Sequence, residues 1–191
     1  MVERQELVYR VDRQDVIVFV DSEWDRFAAS NDGEAAMSAR VLDRSLWDFV
    51  VDATTRQLYR QLIQRIRDGR LLRFNFRCDS PGCRRLMEME MSPAEKGAVQ
   101  FRTRTISGTE REPQTLWERR EACSDDLLVA CGWCKKVKVE GEWEEVEDAV
   151  THLQLFEHAL LPSITHGICE ECHRNVLRTL SVSNEIQTLQ R

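Results

Sequence analysis

Two closely spaced cysteine pairs constrain this chain more than any other feature. CGWC occupies positions 131–134 and CEEC occupies 169–172. A CxxC pair sets two sulfurs on one tight turn, and zinc takes four such thiolates in a tetrahedron, commonly as two close pairs. Cys131, Cys134, Cys169 and Cys172 are therefore expected to form one zinc site that nucleates a small C-terminal module. Gly132 is expected to permit the first turn. Thirty-four residues, 135–168, separate the pairs. That exceeds the roughly 15–20 of a simple ribbon, so something must fold between them. Val137 and Val139 followed by Gly141 predict a short strand and a turn. Trp143, Val146, Val150 and Leu153 follow helical spacing. Val176, Leu177 and Leu180 mark a C-terminal helix that starts close to Cys169, with its positive end toward the thiolates. Lys135, Lys136 and Lys138 can offset the negative charge of four thiolates on one zinc ion. A knuckle followed by a helix-borne pair is a treble-clef-like arrangement.

Other chemistries fit these cysteines less well. CGWC after LLVA is similar to a thioredoxin-type redox pair. Such a pair opens a long helix, whereas KKVKVEGEW has the alternation of a strand. Cys169 to His173 match the CxxCH haem-attachment pattern, but attachment requires export and MVERQELVYR has no apolar signal region. His166 and His173 are each alternative ligands. Cys78 and Cys83 flank the DSPG turn, where a reversible disulfide is geometrically feasible; a core thiol and an exposed thiol is the plainer expectation. Cys123 is expected to be exposed.

The net charge of −6 and the absence of a broad basic face argue against nucleic acid as a partner. No run approaches the roughly 18 apolar residues of a membrane span. The expected compartment is the cytoplasm, where thiols stay reduced and seven cysteines read as ligands or redox groups. No GxSxG, Walker loop or HExxH motif occurs. A closed four-cysteine site has no open position for water, so the chain is expected not to be an enzyme.

The first 108 residues alternate strand and helix patterns. Leu7, Tyr9 and Val11 alternate with polar residues, and VIVFV (16–20) reads as a second strand across a turn at 12–15. Ser22 and Asp25 resemble a capping box before a short helix carrying Trp24, Phe27 and Ala28. Leu46 to Val50 predict another short helical turn. The longest helix is expected over about 54–68, with Leu58, Tyr59, Leu62, Ile63 and Ile66 as its apolar stripe, its arginines solvated, and Gly69 at its end. Three strands follow, with Leu72, Phe74 and Phe76, then Met87, Met89 and Met91, then Val99, Phe101, Thr103 and Thr105 on their inner faces. Phe74, Phe76, Met87, Met89, Met91 and Phe101 are candidates for a ligand pocket. Methionine also fills irregular cores, so ordinary core is the plainer expectation for the same stripe.

Strings such as VIVFVDSEWDRFA, RSLWDFV and FNFRCDSPGCRRLMEMEM, in this element order, resemble a PAS domain. The resemblance covers roughly residues 5–107. It implies a sensory domain with a five-stranded antiparallel sheet and helices on one face. With no histidine before position 108, a His-ligated haem is excluded there. RSLWDFV lacks a cysteine, so the flavin-adduct subclass does not fit, and the ligand is unknown. The segment from CGWCKKVKVEGEWEEVEDAV to HGICEEC looks like an uncharacterised cysteine-pair module of bacterial sensory proteins.

The expected organisation is α+β: a PAS-like sensor domain (1–108), a polar linker (109–126) with one helical stretch around 116–122, a zinc module (127–182) and a flexible tail (183–191). The expected function is non-enzymatic bacterial signalling or regulation, with protein partners and a homodimer as an option. Two alternatives are a thiol-based redox sensor or oxidoreductase using CGWC, and a nucleic-acid-binding zinc module.

Overall fold

A computed structural model describes residues 5–31, 33–50, 52–118 and 123–182. The chain opens with the hairpin β1 (Glu6–Val11) and β2 (Ile17–Val20). At its turn Asp12 Oδ1 accepts from the amides of Gln14 and Val16, at 2.8 and 3.0 Å. Short helices α1 (Trp24–Ala29) and α2 (Ser38–Val41) follow, then a 3-10 turn at Leu46–Asp48. The expected capping box does not form. Asp25 instead accepts from the amide and hydroxyl of Ser38, at 2.6 and 2.5 Å, which ties α1 to α2. Asp32 lies outside the described residues.

Helix α3 (Ala53–Arg67) begins at a true side-chain cap, with Asp52 Oδ1 2.6 Å from the amide of Thr55. It ends at Gly69, whose φ of 88° suits glycine. Leu58, Leu62, Ile63 and Ile66 are buried along one stripe, as their spacing requires. The expectation that its arginines are solvated needs correction. Arg56 donates to the carbonyls of Val50 and Trp47, and Arg67 to the carbonyl of Asp12 and the carboxylate of Asp15. Those arginines fasten the helix to the preceding loop and the first hairpin.

Strands β3 (Leu72–Arg77), β4 (Cys83–Pro93) and β5 (Val99–Glu110) complete an antiparallel sheet of order β2-β1-β5-β4-β3. Its inner face carries Leu72, Phe74, Met87, Met89, Met91, Val99 and Phe101, all buried, with α3 across β4 and β5. The outer face is wet and laddered with charge: Arg73 pairs with Glu90 at 2.5 Å, Arg104 with Glu88 at 2.8 Å and Arg102 with Glu6 at 3.1 Å. Period-2 alternation thus separates a dry face from a solvated one.

The second half of the chain is more sheet-rich than the expected small module. After a 3-10 turn at Thr115–Trp117 come β6 (Ser124–Cys131), β7 (Val137–Val139), β8 (Glu142–Glu144), α4 (Val146–His152), β9 (Pro162–Gly167) and α5 (Glu170–Val182). The strands form a mixed sheet of order β8-β7-β6-β9, in which β6 and β9 run parallel. Trp143 belongs to β8 rather than to the helix its spacing suggested. The rest of the helical stretch expected near 116–122, and the tail 183–191, fall outside the described residues. No helix among the described residues is long and apolar enough to cross a membrane.

Two apolar clusters hold these layers. One, centred on Val137, Val139, Val146, Val150 and Leu155, lies under the second sheet. The other is the main core, and it reaches from α3 and the first sheet to Trp133, Cys131, Cys169 and Val176. The residues around the cysteine pairs therefore pack into the same apolar mass as the first sheet.

Candidate metal centre

Cys131 is the last residue of β6, and the chain then reverses through Gly132, Trp133 and Cys134. Two backbone bonds close the reversal: the amide of Lys135 to the carbonyl of Cys131 at 3.0 Å, and the amide of Cys131 to that of Lys136 at 2.7 Å. The left-handed residue of this turn is Lys135, with φ of 63°, not Gly132. A Cβ on Gly132 would meet only the carbonyl oxygen of Gly167, at an ordinary 3.6 Å. What Gly132 supplies is its amide, bonded to that same oxygen at 2.9 Å, which joins the two cysteine-bearing segments.

The second pair arrives from β9. Cys169 is buried just ahead of α5, and Cys172 lies in its first turn. The amide of Cys169 points at Cys131 Sγ and the amide of Cys172 at Cys169 Sγ, each at 3.4 Å. The helix start thus directs donors at sulfur, as the sequence predicts. Trp143 Nε1 donates to Glu170 at 2.9 Å and closes the cluster from the β8 side.

The four Sγ atoms all lie within 4.8 Å of one another, and those of Cys134 and Cys169 are 3.7 Å apart. Four sulfurs about 2.3 Å from a tetrahedral zinc ion are separated by about 3.8 Å. The donor set and its spacing could hold one metal ion. Neither His166 nor His173 joins the group found among the described residues. Hydrogen bonds from Cys134 and Cys172 hold the pKa of Cys131 below the ordinary thiol range. Reciprocally, Cys134 is pushed up to about 12 and Cys172 is also raised, chiefly by their bonds to Cys131. Of the lysines, Lys135 turns back to donate to the carbonyl of Gly132 at 3.1 Å, and Lys138 lies over the Trp143 ring at 5.6 Å.

Trp133, between the first two cysteines, is 5% exposed. Its ring lies 5.4 Å from Tyr59 of α3 and 5.8 Å from Phe74 of β3. Its carbonyl accepts from the amide of Arg77 at 2.6 Å, on the free edge of β3. A second seam, hidden in the sequence, is ionic. Arg77 reaches Asp79 and Glu145, Arg84 reaches Glu147, and Arg111 reaches Glu147 and Asp79. In the sequence, Glu142, Glu144, Glu145 and Glu147 read as the solvated side of a helix. Glu145 and Glu147 instead face arginines of β3, β4 and the segment after β5. The signal available was the density of glutamates opposite a strand ending in Arg77, but no spacing rule pairs groups so far apart.

Of the six candidate pocket residues, Phe74, Met89, Met91 and Phe101 belong to the main core and Met87 is buried beside them. Phe76 lines a cleft of about 580 Å³ between the start of α3, the CGWC turn and β9. Cys78 and Cys83 are both half-buried free thiols, the latter less exposed than expected, and Cys123 is exposed. Burial raises the pKa of Cys78. A scan against protein-family models and a search of curated proteins both find no match to this chain.

Proposed function

We propose that this protein is a non-enzymatic bacterial signalling or regulatory protein, in which a PAS-like ligand- or partner-binding domain is coupled to a structural zinc centre. The observation that carries the reading is Trp133. It is held between two cysteines of the centre and buried against Tyr59 and Phe74 of the first sheet and its helix. A repacking of that core moves the loop that presents two metal ligands, and a change at the metal is felt by the core. The five antiparallel strands with helices on one face support the PAS-like part of the proposal. Four cysteine sulfurs within 4.8 Å of one another, a donor type and number that zinc takes, support the metal. A structural role fits a donor set that fills all four positions.

A thioredoxin-type pair would open a helix, and here CGWC leads into β7; the thiol-redox alternative needs CGWC free of metal. The test is elemental analysis of protein purified under reducing conditions, followed by hydrogen exchange with and without chelator. The proposal expects one zinc per chain, and loss of protection in α3 and β3 on metal removal. Metal-free protein with a fast-reacting CGWC dithiol would replace it with the redox reading. Exchange changes confined to residues 124–182 would reject the coupling.

A further inference from the structure

A strand at the end of a sheet leaves backbone groups without a ladder partner, and proteins usually cover or charge such an edge. Both sheets do so at every end but one. In β2 the amide of Ile17 donates to the carbonyl of Arg44 at 2.8 Å. In β3 the amide of Arg77 donates to the carbonyl of Trp133, and α5 lies along the same strand. β8 carries Glu142 and Glu144. The exception is β9, which ends the second sheet and has no Lys, Arg, Asp or Glu in its sequence PSITHG.

The hydrogen bonds of β9 fix which of its groups are open. The carbonyls of Leu161 and Gly167 accept from the amides of Ser124 and Gly132, each at 2.9 Å. Alternate residues of a parallel ladder face the same neighbour, so Ser163 and Thr165 also face β6. The amides and carbonyls of Ile164 and His166 therefore point away from β6. They have no backbone partner among the described residues. This stretch borders the cleft beside the CGWC turn, and His166 is exposed. Ile164 and Thr165 are β-branched, which suits further strand pairing.

The open edge is self-complementary about a two-fold axis through Thr165. Set antiparallel to a second copy, Ile164 meets His166 of that copy, and each such pair exchanges both its N–H···O bonds. Thr165 meets its own counterpart across the axis, a pairing threonines favour. With no Lys, Arg, Asp or Glu along the strand, the pairing sets no such charge of β9 against its like.

We propose that β9 is a homodimer interface, in which the β9 strands of two copies pair antiparallel about Thr165 and join their second sheets into one. Cys169 follows His166 by three residues, so the two metal centres flank the axis. The interface goes beyond the signalling reading and needs only β9 in place beside β6.

Sedimentation velocity of the full-length, metal-loaded chain over a concentration series tests this. Metal content measured on the same samples separates a lost interface from a lost centre. The expected result is a reversible monomer–dimer equilibrium in which the amides of Ile164 and His166 gain protection from hydrogen exchange. His166→Pro removes one outward amide and leaves the β6 ladder intact. Thr165→Lys sets like charges opposite each other. Each variant is expected to weaken dimerisation about tenfold or more while keeping the metal. A protein that stays monomeric up to roughly 500 μM overturns the proposal and leaves the edge to an extended segment of another protein. A dimer that both variants leave unchanged overturns it too, as does one without added protection at Ile164 and His166.

Discussion

Arg77, at the end of β3, places its guanidinium 2.6 Å from the carboxylate of Glu145, the residue that opens α4. The same guanidinium holds Asp79, whose side chain is 1% exposed. One arginine thus neutralises a buried acid of its own hairpin and grips the second sheet's helix. Removing it leaves Asp79 with Arg111 as its remaining arginine in this seam. Arg77→Met is expected to destabilise the protein by about 3–5 kcal/mol, and Glu145→Gln by less. A double-mutant cycle read by chemical denaturation checks this, with a nonzero coupling energy expected between the two positions.

The metal centre predicts a sharp division among the cysteines. Cys131→Ser, Cys169→Ser or Cys172→Ser is expected to lose stoichiometric zinc and to lower the melting temperature strongly. Cys83→Ser and Cys123→Ser are expected to keep one zinc per chain. Elemental analysis with thiol counting before and after denaturation decides it; retention of full metal by a Cys172→Ser protein would contradict a four-sulfur site.

Trp133 offers a test of shared packing. Trp133→Ala is expected to cost about 3–5 kcal/mol, as large aromatic truncations in cores do. Trp133→Phe keeps most of the apolar contact and is expected to cost well under half of that. Both should be read by denaturant unfolding followed at probes in each sheet. A single transition that shifts at both probes is the expected result.

Acid should loosen the ionic seam. Glu147 has its pKa lowered: burial works against this, but its own backbone amide, Arg111 and Arg84 outweigh it. A carboxylate with a depressed folded pKa binds its proton more readily when unfolded. Its contribution is therefore fully present above the ordinary glutamate range, about pH 4, and is lost as pH falls through the folded value. Glu147→Gln is expected to flatten the acid limb of a stability–pH curve while changing little near neutrality in slope. An unchanged acid limb would remove Glu147 from the account.

Local chemistry was readable from the sequence because local rules decide it. The stripe Leu58, Leu62, Ile63 and Ile66 and the alternation in β3, β4 and β5 follow from periods of 3.6 and 2, and each found its buried face. The cysteine cluster was legible because CxxC fixes two sulfurs on a turn whatever the rest of the chain does. Local spacing misled where a tertiary partner competed. Asp25 left its capping role for Ser38, Trp143 joined a strand that pairs with β7, and Gly132 supplied an amide where a turn conformation was expected.

What only the tertiary structure decided is which surfaces meet. The parallel pairing of β6 with β9 joins segments more than thirty residues apart, and no local signal specifies such a partner. The burial of Trp133 against Tyr59, the reach of Arg77 to Glu145 and the cleft beside the CGWC turn all arise where the two sheets pack. A sequence dictates the period and chemistry of each element through neighbours a few residues away. Contacts between elements depend on the competition among many apolar faces to leave water, and that is settled only when the whole chain has folded.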